Sequence, residues 1–277
     1  MGHPYFGSFD ATRPMILGHR GAAGGAPENT LISFERCLEQ GADAIESDVQ
    51  VTRDGIPVLL HDADVGRVTE ASGAVDTMTL VELEALDAGH HFSIDDRGRT
   101  EPDDDAAFRG QGARVPTVEA AFAAFPDARF NLEIKTAAND TVARVVELVA
   151  KLDRADRTLL TAGNDALMRS LRAALADRGV DAATSASVSD VVAVVQSAVE
   201  GRPPPAEIQA LQIPTHFGDR ALVSAELIEH AHRHDIRIHV WTINEPEEME
   251  RLLDLGVDGL VTDFPGRAAR LVARRSE

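Results

Sequence analysis

Cysteine occurs once in the 277 residues, at Cys37. A lone thiol excludes an intramolecular disulfide and fits a reducing compartment. Its helical-looking surroundings are those of an inert buried side chain. Lysine is nearly as scarce, with only Lys135 and Lys151, and the other basic residues are arginine. No apolar run approaches the ~20 residues of a membrane span, so no stable membrane anchor is expected. The opening MGHPYFGSFDATRP lacks a basic start and an apolar stretch. It does not read as a secretory signal, and the expected location is cytoplasmic. Positive charge is in deficit overall, with a formal net charge of −19. That argues against nucleic acid and anionic membrane surfaces as partners. An anionic substrate would need cations concentrated locally. Oligomeric state cannot be read from these features.

What is present is the composition of a globular protein, 44% hydrophobic and 26% charged. Strand-like and helix-like runs alternate. Strands are predicted near 15–19, 44–52, 130–134, 157–161, 181–186, 210–214, 237–242 and 259–262, and helical patterns follow them. After the second strand, Asp54-Gly55 makes a turn and 57–61 runs back as a hairpin. The helix of that step is expected at 79–86. Eight strand-then-helix steps predict a closed parallel (β/α)8 barrel across 1–277, one domain. An open doubly wound sheet is the alternative. Residues 90–114 are polar, acidic and glycine-containing, and read as a surface insertion between the second and third steps.

In such a barrel, chemistry belongs at the C-terminal ends of the strands. His19 and Arg20 end the first strand, and His61-Asp62 ends the hairpin return. Trp241 and Asn244 end the seventh strand and Asp263 the eighth. Glu46 and Asp48, two apart, share a face of the second strand, and Glu133 and Lys135 share one on the third. Three carboxylates thus converge on the barrel interior. They call for positive charge, either a hard divalent ion with oxygen ligands or pairing with Arg20 and Lys135. Two strand-end histidines beside such a cluster suit acid–base work near neutral pH. His230 and His234 have the i, i+4 spacing of a metal pair, but on an outer helix they are expected to be solvent-exposed.

The motifs are more specific in combination. HRG at 19–21, PENT at 27–30, GADAIESDVQVTRDGIPVLLHD at 41–62, NLEIK at 131–135, VWTIN at 240–244 and GVDGLVTDFP at 256–265 resemble the glycerophosphodiester phosphodiesterase family. The resemblance spans nearly the whole chain. It implies a TIM barrel that hydrolyses small-molecule glycerophosphodiesters to an alcohol and glycerol 3-phosphate with one divalent cation, Mg²⁺ or Ca²⁺. It further implies His19 and His61 as the acid–base pair and Glu46, Asp48 and Glu133 as metal ligands. Arg20 and Lys135 would bind phosphate, and Trp241 would line the glycerol side. Glu28 would hold Arg20, and Asn29 would tie down the loop. Two other readings remain: lysophospholipid cleavage on the same barrel, and a non-catalytic phosphate- or metal-binding protein. The first wants an apolar surface at the mouth, and the sequence offers none beyond Phe92, Phe108 and Phe217.

Overall fold

The structure is a computed structural model that describes residues 3–7, 13–92, 108–205 and 208–275. Eight strands form its centre: β1 (Met15–His19), β2 (Ala44–Val51), β3 (Arg129–Ile134), β4 (Thr158–Ala162), β5 (Ala183–Thr184), β6 (Ala210–Ile213), β7 (Arg237–Val240) and β8 (Gly259–Thr262). Each is followed by a helix: α1 (Leu31–Glu39), α2 (Val118–Ala124), α3 (Thr141–Lys151), α4 (Asp165–Arg178), α5 (Val188–Glu200), α6 (Ala225–Arg233), α7 (Pro246–Leu255) and α8 (Pro265–Arg275). The sheet runs in the order β5-β4-β3-β2-β1-β8-β7-β6, and every neighbouring pair is parallel. A bridge between Ser185 and Ala210, with the Ala186 N–H donating to the Ala210 carbonyl at 2.8 Å, joins β5 to β6. The predicted eight-strand barrel is therefore the fold.

Local chemistry accounts for the boundaries. Thr30, Thr117, Asn164, Ser187 and Ser224 cap helices α1, α2, α4, α5 and α6 by accepting backbone N–H bonds that the helix cannot satisfy itself. Gly179, Gly201 and Gly256 end α4, α5 and α7 in the left-handed conformation. Strand alternation then sorts the side chains. Ile45, Val49, Leu132 and Ile134 point out into the layer under the helices. Leu17, Leu159 and Val261 fill the inside of the barrel around Tyr5, which is carried by a short helix, Pro4–Gly7.

Some expectations need correction. The helix at 79–86 is shorter, Leu80–Glu84, and is held by a capping box between Thr79 and Glu82. The outer-layer position after β2 belongs instead to α2, which buries Val118, Ala121 and Phe122. The hairpin return Pro57–Leu59 pairs antiparallel with β2 as predicted. Of the insertion at 90–114, residues 93–107, with Asp95, Asp96, Asp103, Asp104 and Asp105, lie outside the described residues. Its flanks meet where the rings of Phe92 and Phe108 pack edge-on at 5.4 Å. His230 is not solvent-exposed. It is buried under α5, its Nε2 2.9 Å from the Ser197 hydroxyl, because α5 packs over that face of α6. His234, one turn on, is exposed.

Candidate active site

The parallel register sets the cluster. His19 stands beside Glu46 across β1 and β2, and Asp48 beside Glu133 across β2 and β3. With Ile45, Val49, Leu132 and Ile134 facing the helices, the carboxylates face inward. One oxygen from each of Glu46, Asp48 and Glu133 lies within 4.8 Å of the others. Glu46 and Asp48 are buried, and Glu133 is half-buried.

Both of the predicted cations are here. Lys135 Nζ lies 2.9 Å from Asp48 and 2.7 Å from Glu133. Arg20 Nε lies 3.2 Å from Asp48. Burial works to raise the Asp48 pKa, but Lys135 and Arg20 outweigh it and hold the carboxyl below its ordinary value. Glu46 differs. It accepts the backbone N–H of Arg20 at 3.0 Å, and burial followed by the charge of Asp48 pushes its pKa well above the usual carboxylate range. Pairing with Arg20 and Lys135 therefore leaves positive charge short at Glu46. Three converging oxygen donors with that deficit fit a hard divalent ion, so this acidic cluster could bind a metal.

Each histidine is held by a carboxylate. His19 Nδ1 lies 2.8 Å from Asp263, which in turn accepts from Asn244 Nδ2 at 2.7 Å. His61 Nδ1 lies 2.6 Å from Asp62. In both cases the carboxylate fixes the ring through Nδ1, and Nε2 lies outside that bond. Burial works to lower the His19 pKa, but the bond to Asp263 and the nearby Glu46 outweigh it, and the net shift is upward.

The loop after β1 explains its glycines and its Pro-Glu-Asn. Arg20 and Asn29 both adopt left-handed φ, at 52° and 55°, an uncommon conformation for residues with a side chain. The chain turns there at Gly21, φ 88°, where a Cβ would lie 2.4 Å from the Ser33 hydroxyl. Glu28 accepts from Arg20 Nη1 at 2.9 Å. Asn29 donates to Asp48 at 3.1 Å and accepts from Ser47 at 2.6 Å.

Arg67 is a residue that sequence reasoning missed. It donates to both Glu28 oxygens, at 2.8 and 2.6 Å, and its Nε donates to Asp62. A continuous chain of charged hydrogen bonds therefore runs His61, Asp62, Arg67, Glu28, Arg20. Asp62, Asp263 and Asn244 were visible as strand-end residues, but their pairings were not. Trp241 follows β7 at the mouth, 44% exposed, and shares a cavity wall with Glu133. All ten predicted site residues thus fall on the C-terminal side of the barrel; Trp241 joins it through its backbone N–H, which donates to the Ile213 carbonyl at 3.1 Å, and the other nine through side-chain hydrogen bonds or ion pairs.

Fold and site together define a barrel hydrolase acting on phosphoric diesters. The chain belongs to the glycerophosphoryl diester phosphodiesterase family, whose profile matches residues 19–267. It is 28% identical over 268 residues to the glycerophosphodiester phosphodiesterase of Caldanaerobacter subterraneus subsp. tengcongensis, covering 95% of this chain and 99% of that protein. It is 30% identical over 266 residues to a glycerophosphodiester phosphodiesterase of Bacillus altitudinis, covering 92% and 97%. Among solved structures, a glycerophosphodiester phosphodiesterase from Agrobacterium tumefaciens matches with a TM-score of 0.72 at 25% identity, over 93% of this chain and 99% of that one. Among the described residues no helix is long and apolar enough to cross a membrane.

Proposed function

We propose that this chain, read as one barrel domain, hydrolyses small-molecule glycerophosphodiesters to an alcohol and glycerol 3-phosphate. Glu46, Asp48 and Glu133 would hold one divalent cation, Mg²⁺ or Ca²⁺. The ion, when bound, supplies positive charge to the phosphoryl oxygens. Arg20 and Lys135 carry the remaining charge to the phosphate. His19 takes a proton from the nucleophile, which is water or the neighbouring glycerol hydroxyl through a cyclic phosphate. The bond from phosphorus to the alcohol oxygen breaks, and His61 gives its proton to that oxygen. Asp263 and Asp62 orient the two rings and stabilise each imidazolium. Trp241 lines the glycerol side. The observation that carries this reading is the meeting of three carboxylates with two histidines, each fixed through Nδ1 by its own aspartate.

The test is release of glycerol 3-phosphate from glycerophosphocholine after EDTA treatment, with Mg²⁺ or Ca²⁺ added back. Restored release that Glu46→Ala abolishes is expected. His19→Ala and His61→Ala should each lower turnover by ~10²–10⁴ with the fold retained. Near-wild-type turnover in both histidine variants would refute the assignment.

A further inference from the structure

Two asparagines grip two aspartates of the site in the same way. Asn29, in the loop after β1, accepts the Ser47 hydroxyl at 2.6 Å and donates to Asp48, the next residue, at 3.1 Å. Asn244, in the loop after β7, accepts the Thr262 hydroxyl at 3.2 Å and donates to Asp263, again the next residue, at 2.7 Å. Its Oδ1 also accepts the backbone N–H of Asp263 at 3.0 Å. One amide thus holds Asp263 by its main chain and by its carboxylate. Chemistry fixes which way that amide faces. Turned over, it would set its NH2 group against the Asp263 N–H and its oxygen against the carboxylate.

Local structure explains the reach. Past β7 the chain stays beside β8, with the Ile243 N–H donating to the Val261 carbonyl at 2.9 Å. The Asn244 carbonyl accepts from Arg267 Nη1 at 3.1 Å, and that guanidinium lies 3.9 Å over the Phe264 ring. Phe264 packs on Gly24, where a Cβ would meet the ring at 2.3 Å, and the Gly24 N–H donates to the Asp263 carbonyl at 3.0 Å. The loops after β1 and β7 therefore pin the main chain of Asp263. Rotation of its carboxylate is a separate freedom. Oδ1 meets His19 Nδ1 at 2.8 Å, and Oδ2 takes the Asn244 amide. A bond on the second oxygen sets the plane of the carboxylate, and that plane sets where the imidazole points.

Resting on the phosphodiesterase reading above, we propose that Asn244 is a positioning residue of the reaction: acting through Asp263, it aims His19 at the nucleophile. It stands behind Asp263 as Arg67 stands behind Asp62, with a neutral amide in place of a guanidinium. Among the described residues its side chain bonds only to Thr262 and Asp263, and to none of the metal-binding carboxylates or phosphate-binding cations. Its contribution is therefore to turnover and not to binding of substrate or ion.

Asn244→Asp separates the two halves of the amide. It keeps the oxygen that serves Thr262 and the Asp263 N–H, and it turns the donor into an oxygen facing a carboxylate. Metal-loaded enzyme is assayed on glycerophosphocholine. The variant should lower kcat by roughly 10- to 100-fold, with KM and the rise in Tm on adding the divalent ion unchanged. Asn244→Ala, which adds no charge, should lower kcat in the same range and serves where Asn244→Asp does not fold. In an Asp263→Asn background the loss from Asn244→Asp should vanish, because amide and carboxylate then trade places. An equal loss in both backgrounds would overturn the proposal. So would an unchanged kcat, or a raised KM with kcat unchanged. A second readout needs no turnover: the low-field NMR resonance of the His19 Nδ1 proton, identified by its loss in His19→Ala, should shift or disappear in Asn244→Asp. Its persistence unchanged would overturn the proposal. A shifted resonance in a protein that hydrolyses nothing would overturn the phosphodiesterase reading and leave the Asn244–Asp263–His19 coupling standing.

Discussion

His239 lies inside the barrel on β7, fully buried, and neither ring nitrogen has a hydrogen-bond partner. Burial pushes its pKa down to about 4, against ~6.5 for an exposed histidine. Asp258 works against that shift and Arg237 with it. The folded pKa lies below the unfolded one, so between the two only the unfolded chain takes up the proton. Stability is therefore intact above pH ~6.5 and is lost as the pH falls towards 4. With those two values the loss reaches about 2 kcal/mol at pH 5. Glu46 acts in the opposite sense, because its raised pKa lets the folded chain bind a proton first. The informative quantity is thus the difference between wild type and His239→Leu, which cancels that shared contribution. Urea unfolding in EDTA at pH 7.5 and pH 5 measures it. Wild type should lose about 2 kcal/mol more than the variant on acidification. The variant should be at least as stable at pH 7.5, since two unsatisfied polar atoms are gone. Equal acid sensitivity in the two proteins would refute the claim that His239 is held neutral by burial.

Three further outcomes follow from the site. Arg67→Met removes the link between Glu28 and Asp62 and should lower kcat by roughly 10- to 100-fold through misplaced His61 and Arg20; Arg67→Lys, which keeps the charge and loses the planar fork, should recover only part of it, and unchanged kcat in Arg67→Met would show that the chain of charges does not position the histidine. Adding a divalent ion at 100 times its Kd should stabilise the EDTA-treated protein by about 2.7 kcal/mol, seen as a rise in Tm that Glu46→Ala abolishes. Gly21→Ala puts a Cβ against Ser33 at a φ of 88° and should cost at least about 2 kcal/mol by thermal melting, whereas Gly110→Ala, with φ 73° and open space around it, carries the backbone penalty alone.

How much of this could be read from the chain depended on the range over which each feature is decided. The eight strand-then-helix steps are local patterns of period two and 3.6, and the barrel follows from their number. The carboxylate faces were also legible, because a spacing of two on a strand fixes a side whatever the rest of the fold does. The short helix α2 was overlooked because its seven residues, VEAAFAA, sit against a polar insertion that obscures the Val118, Ala121, Phe122 stripe. Pairings across the fold were beyond sequence reasoning. Asp263 meets His19 over 244 positions, and Arg67 meets Glu28 over 39, and neither spacing has a period. The error about His230 has a plain cause. His230 and the outer valines of α5 lie on helices of the same outer layer, and the sequence shows each helix's apolar and polar faces but not which neighbour covers them. α5 covers His230, and among the described residues Val188 and Val192 stay exposed. Which helix faces stay open is therefore visible only once the barrel is closed.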